Sequence, residues 1–227
     1  MTGLGDTALR MEGRAVAAVD RLRRAWLLGR IRFLAIWRRS HVELDVARDL
    51  RVGRRVTVKV APRTHVSLQI APRCRIGDDV VLLLWSGSIT WGEDVQLRLR
   101  STIDLSGALR CDGGNIFSYG TVVHCAESIR LREQASCSEY TTLADSAHFY
   151  TEPQVHYSEN TVSGPIEIGP NVFLAPRVSV NRNVTIGGHT IVGPNSVVVG
   201  DIPSGCFASG IPARVVRSLE LPWVDAP

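Results

Sequence analysis

The chain has 227 residues, 44% hydrophobic with few aromatics, and a formal charge of +4. Every basic residue but Lys59 is an arginine, and no basic stripe is interleaved with aromatics, so no nucleic-acid partner is expected. The cysteines Cys74, Cys111, Cys125, Cys137 and Cys206 are odd in number and form no CxxC pair, which fits buried free thiols in a reducing cytoplasm, not a disulfide scaffold.

Residues 12–39 read as a helix free of proline, with Trp26, Leu27, Ile31, Leu34 and Trp37 recurring at three- and four-residue steps. Arg21, Arg23, Arg24, Arg30, Arg32, Arg38 and Arg39 interrupt that stripe. Such a helix can cap the exposed end of a sheet stack or lie on an anionic membrane surface, and the two roles can coexist. No signal peptide and no run of about eighteen uncharged apolar residues is found, so a cytoplasmic protein is expected, at most peripheral at the inner membrane face.

A six-residue period follows. It is weak at Val52, Val58, Thr64, Ile70, Ile76 and Leu82. It resumes at Trp91, Leu97, Ile103 and Leu109, then at Phe117, Val123 and Ile129, and after a two-residue slip at Leu131, Cys137 and Leu143. Over 168–203 it is strict, with Ile168, Leu174, Val180, Ile186, Val192 and Val198 opening each unit. Neither a helix nor a simple strand sustains a period of six, so an all-β solenoid, a parallel β-helix with three faces per coil, is expected. About eight coils and a prism of roughly 40 Å follow from the strand spacing. The division expected is a helical segment at 1–45, the solenoid at 46–208 and a tail at 209–227 that leaves the prism.

Over 144–165 the period fails, and titratable and aromatic residues crowd together: Asp145, His148, Tyr150, Glu152, His156, Tyr157 and Glu159. An irregular loop thrown from a regular solenoid is where function concentrates.

The hexads, this loop and the ending resemble the left-handed β-helix acyltransferases of the maltose, galactoside, xenobiotic and capsule O-acetyltransferase branch. Three features carry the resemblance: DSAH at 145–148, the hexad block IEIGPNVFLAPRVSV, and SGIPARVVR at 209–217. It is strong over 143–218, weaker over 52–142, and does not reach the N-terminal helix. Left-handed coiling is implied by the resemblance, against the usual crossover rule. Also implied are an acetyl-CoA or other acyl-CoA co-substrate in a groove between subunits, a homotrimer, and a sugar, polysaccharide, glycolipid or specialised-metabolite hydroxyl as acceptor.

Acyl transfer from a thioester to a hydroxyl asks for a base that removes the hydroxyl proton, and a neutral histidine suits that near neutral pH. His148 matches the family's catalytic histidine, with Asp145 as the group that orients it or as a turn residue. Tyr150, His156 and Tyr157 are candidates for the acceptor pocket, and His156 is the fallback base. On the donor side the resemblance implies Ala175, Pro176, Pro194, Ser209, Gly210, Arg214 and Arg217, the arginines meeting phosphates. Pro176 and Pro194 depart from the family's small residues and offer no N–H, Val199-Gly200 replaces a frequent Thr-Lys, and Phe173 a tryptophan. Two other readings stay open. One is a non-catalytic scaffold. The other is a γ-class carbonic anhydrase-like zinc site, for which His124 could join His148 and His156 although the H-x4-H pair is missing; no metal is expected.

Overall fold

The computed structural model describes residues 3–149, 156 and 160–219, with side chains described from residue 18 onward. These residues form one helix, α1 (Gly3–Arg38), and a parallel β-helix with faces of seven, nine and seven strands. The first face begins with His41–Val46, the second with Arg51–Val52 and the third with Thr57–Val60.

Coil length falls along the chain. Register partners are 24 positions apart at first (His41↔His65), then 21 (Val66↔Gly87), then 20 (Ser88↔Ala108, Ala108↔Ser128). Only after the loop do they reach the 18 of strict hexads (Ile166↔Val184). Extra residues sit at corners, so the inward columns stay continuous. Leu68, Ile89, Leu109, Ile129, Ile166 and Val184 stack on the first face, and Val58, Leu82, Ile103, Val123, Leu143, Val180 and Val198 on the third. Seven coils result where eight were expected, and six strand spacings of about 4.8 Å make a prism about 30 Å tall. Thr64, counted with the weak hexads, is not a core residue: the long first coil shifts the inward position to Val66, and Thr64 donates its hydroxyl to the carbonyl of Trp85.

The five cysteines are all buried and free. Burial pushes the thiols of Cys125 and Cys137 up to about 12.

α1 lies across the open end of the prism and touches the first strand of every face. Leu27 and Ile31 enter the core, with Leu28 and Ala35 buried beside them. Arg24 donates from Nη2 and Nε to the carbonyls of Val46 (2.6 Å) and Ala47 (2.9 Å), covering acceptors where the first strand ends. Trp26 and Trp37, read as part of the packed stripe, point outward instead, 53% and 67% exposed. Both sides of this helix are apolar, and the larger rings went to the side away from the coils.

The tail does not leave the prism at residue 209. Cys206–Gly210 extends the second face, and Ala213–Ser218 folds back antiparallel on it, pairing Ser209 with Arg214 and Phe207 with Arg217.

Candidate active site

The loop departs where the third face turns to the first. In the coils below, main-chain amides at this corner are taken by the carbonyl one rung up: Ser86 N–H by Leu105, and Ser106 and Gly107 N–H by Cys125. At the next rung the chain leaves the coil, and Asp145 occupies the equivalent position. Its carbonyl accepts from Gly164, where the loop returns, so its side chain serves the rung below. The carboxylate accepts from Ala126 N–H at 2.6 Å and Glu127 N–H at 2.8 Å, and is completely buried. A Cβ at Gly164 would meet the side-chain amide of Asn183, which would have to swing aside.

From this root the chain forms a two-stranded hairpin, Ser146–His148 paired antiparallel with Thr161–Ser163. Ser163 Oγ donates to Glu127 Oε2 at 2.7 Å, tying the hairpin to the prism. His148 stands exposed opposite Thr161, and its Nδ1 lies 3.3 Å from Thr161 Oγ1. With Nδ1–H donating to that hydroxyl, Nε2 carries the lone pair a general base needs. The orienting contact read for Asp145 is therefore corrected: both its oxygens are committed to amides of the coil below, and Thr161 faces the imidazole. His156 is exposed. Tyr150 and Tyr157 lie outside the described residues.

A second histidine stands at the foot of the loop. His124 is the register partner of Ala144, and its Nδ1 lies 3.5 Å from Asp104 Oδ2. Asp104 Oδ1 accepts from Trp85 Nε1 at 2.6 Å. The sequence offers His124 only as a metal ligand and does not reveal this Trp85–Asp104–His124 file. Asp104 and His124 are 20 positions apart, the local coil length, and an offset of 20 rather than 18 finds the pair.

The donor-side residues gather elsewhere. Ala175 is buried, and Pro176 and Pro194 are exposed at the corner between the second and third faces. The prolines have a turn reason. Pro62, Pro72, Pro170, Pro176 and Pro194 each precede a residue of positive φ, from 51° at Asn171 to 62° at Arg73. A turn with proline second and a left-handed residue third uses the ring's fixed φ. Ser209 Oγ lies 3.3 Å from Ser196 Oγ, which also accepts from Gly210 N–H at 3.0 Å. Arg214 and Arg217 are exposed on the returning strand, Arg217 5.9 Å from the Phe207 ring centroid. His148 springs from one edge of the prism and these groups line another edge and the second face, so the topology does not bring the two sets together on one chain.

Among the described residues, the group able to gather round a cation is His41, Glu43 and His65, all exposed on the first two rungs of the first face. His124, His148 and His156 do not belong to it.

Residues 165–200 match the family model described as bacterial transferase hexapeptide (six repeats). Galactoside O-acetyltransferase of Escherichia coli (strain K12) is 32% identical over 117 residues, 46% of this chain and 58% of that protein. The chain thus spans less than two thirds of that relative's length. Among solved structures, a galactoside acetyltransferase in complex with coenzyme A superposes with a TM-score of 0.52 at 23% identity, over 57% of this chain and 64% of that one. An N-acyltransferase of Bacillus cereus in complex with dTDP and 3-hydroxybutyryl-CoA superposes with a TM-score of 0.50 at 17% identity, over 81% of this chain and 87% of that one. These likenesses show the fold, a left-handed parallel β-helix with an N-terminal helix.

Proposed function

Because this chain carries the hexapeptide repeats of bacterial transferases over 165–200, we propose that it is an O-acyltransferase using an acyl-CoA, acetyl-CoA by default. The observation that carries the reading is His148, held at the rim of the hairpin with Nδ1 against Thr161. Nε2 removes the proton of the acceptor hydroxyl as its oxygen attacks the thioester carbonyl. The C–S bond breaks, the acyl group passes to the oxygen, and the proton goes on to the coenzyme A thiolate. No acyl-enzyme forms.

Coenzyme A lies along the corner of Ala175, Pro176 and Pro194, with Ser209 and Gly210 beside it and Arg214 and Arg217 on its phosphates, where guanidinium forks suit phosphate oxygens. Proline at 176 and 194 leaves these positions without an amide for the pantetheine arm. Because donor and base groups sit on different edges of one prism, the reading requires that each site form between two copies, as in a homotrimer. The acceptor is a sugar or glycan hydroxyl met by the 144–165 loop, with His156, Tyr150 and Tyr157 as candidate contacts. The enzyme works in the cytoplasm beside a membrane-held acceptor. Relatives that are acetyltransferases, and folds solved with coenzyme A or an acyl-CoA, support this reading.

Titration with coenzyme A tests the donor half. Saturable binding that weakens about tenfold in Arg214→Ala/Arg217→Ala fits two lost charge-assisted contacts. Absence of binding at millimolar coenzyme A favours a non-catalytic scaffold.

A further inference from the structure

α1 has two apolar faces, and the prism uses one. Leu27, Leu28, Ile31 and Ala35 turn to the first coil. On the opposite side Leu22, Trp26, Phe33 and Ile36 follow at steps of four, seven and three, the spacing of one continuous helical stripe. They are 53% (Trp26) to 79% (Ile36) exposed, and Trp37, 67% exposed, lies beside them. At 3.6 residues per turn, Arg23 and Arg30 fall along one edge of the stripe and Arg21 and Arg32 along the other. Seven arginines and no Asp or Glu occur over 21–39. Arg30 lies over the Trp26 ring at 5.3 Å and Arg38 over the Trp37 ring at 4.9 Å.

A second copy is a poor occupant. Packing two such helices stripe to stripe brings arginine edges together with no acid on this stretch to pair them, and like charges at helix spacing repel. An anionic lipid surface satisfies both features: apolar side chains sink to the boundary of headgroups and acyl chains, and arginines meet lipid phosphates. Tryptophan and arginine side by side suit that interface.

We propose that α1 docks this protein on an anionic bilayer through Leu22, Trp26, Phe33, Ile36 and Trp37, with its arginine edges on the lipid phosphates. Phe33, Ile36 and Trp37 face away from the coils, and Leu22 and Trp26 border the first-coil corner of Gly53, Arg54 and Arg55. Thr142–Ala144, from which the His148 loop springs, is the fifth strand of its face. Four spacings of about 4.8 Å and a helix diameter of about 10 Å put the root of that loop about 30 Å from the lipid. On the acyl-transfer reading, from which this last step alone follows, the acceptor hydroxyl belongs to a glycan that projects from the membrane, not to a lipid headgroup.

Flotation of the full chain with phosphatidylcholine vesicles, with and without phosphatidylglycerol, tests the docking and needs neither donor nor acceptor. The wild type floats with the anionic vesicles only, and less at high salt. Phe33→Ser/Ile36→Ser and, separately, Arg21→Gln/Arg32→Gln lower the bound fraction about tenfold with circular dichroism and thermal midpoint unchanged, since both pairs lie on the exposed side. A wild type that stays unbound, that floats equally with neutral vesicles, or that is matched by the Phe33→Ser/Ile36→Ser variant overturns the proposal. So does an outward stripe that sets the sedimentation coefficient while vesicles are ignored, which gives the surface to a second copy.

Discussion

The carboxylate of Asp145 takes the N–H of Ala126 at 2.6 Å, standing in for the main-chain carbonyl that the loop carries away from the coil. The side chain therefore stabilises the exit of the loop. Asp145→Ala leaves the part-buried amides of Ala126 and Glu127 without their acceptor; an unsatisfied group costs about 1–3 kcal/mol when fully buried and less where water reaches it. The expected result is a loss of about 1–3 kcal/mol in denaturant unfolding, with faster hydrogen exchange at those two amides. Asp145→Asn keeps one acceptor oxygen and loses less. An Asp145→Asn protein of unchanged stability but altered pH–rate profile would assign the residue to the imidazole instead.

Thr161 Oγ1 lies 3.3 Å from His148 Nδ1, so it should help to hold the orientation of the ring. Thr161→Val, of similar shape but without the hydroxyl, should lower kcat about tenfold or more, with the KM for acyl-CoA unmoved. Thr161→Ser should restore it. Equal losses in both variants would make the contact incidental.

The two sides of α1 should behave oppositely in stability. Ile31, fully buried in the core cluster, should cost about 2–5 kcal/mol on replacement by alanine. Trp37→Ala, at an exposed ring, should stay within about 0.5 kcal/mol. Thermal unfolding of the two variants checks the assignment of inner and outer face.

The thiols of Cys125 and Cys137, pushed up to about 12 by burial, stay protonated in the fold where an unfolded chain ionises near 9.0. Above that value the unfolded state binds fewer protons, so stability is full below about pH 9 and declines as pH rises towards about 12. A thiol reagent at pH 8 should leave both unmodified in the native protein and label them on unfolding. Reductant should not move the thermal midpoint, because the five cysteines are free.

Much of this architecture can be read from the chain, and the reasons for the gaps are physical. The period is plain over 168–203 because those coils hold eighteen residues with no extra corner residue. It blurs before 144, where coils of 20 to 24 residues move each inward column off the six-residue count, as at Thr64 and Val66. His148 is visible because it lies in a break of the pattern. The pairing of His124 with Asp104 is not, because it follows the coil length. Nor could the sequence tell that Asp145 replaces a backbone acceptor, which depends on where the coil loses its rung. For α1, periodicity puts Trp26, Leu27, Ile31, Leu34 and Trp37 in one stripe, and only in three dimensions do Leu27 and Ile31 part from Trp26 and Trp37.

Acyl transfer on this reading depends on one residue, His148. Steady-state transfer from acetyl-CoA, measured with an acceptor that the wild-type protein acylates, should fall about 10²- to 10⁴-fold in His148→Ala, the range for loss of a general base. Coenzyme A affinity should be nearly unchanged, because Arg214 and Arg217, the groups proposed to meet its phosphates, are intact. Undiminished transfer by His148→Ala would contradict the account and move the search for the base to His124, beside Asp104.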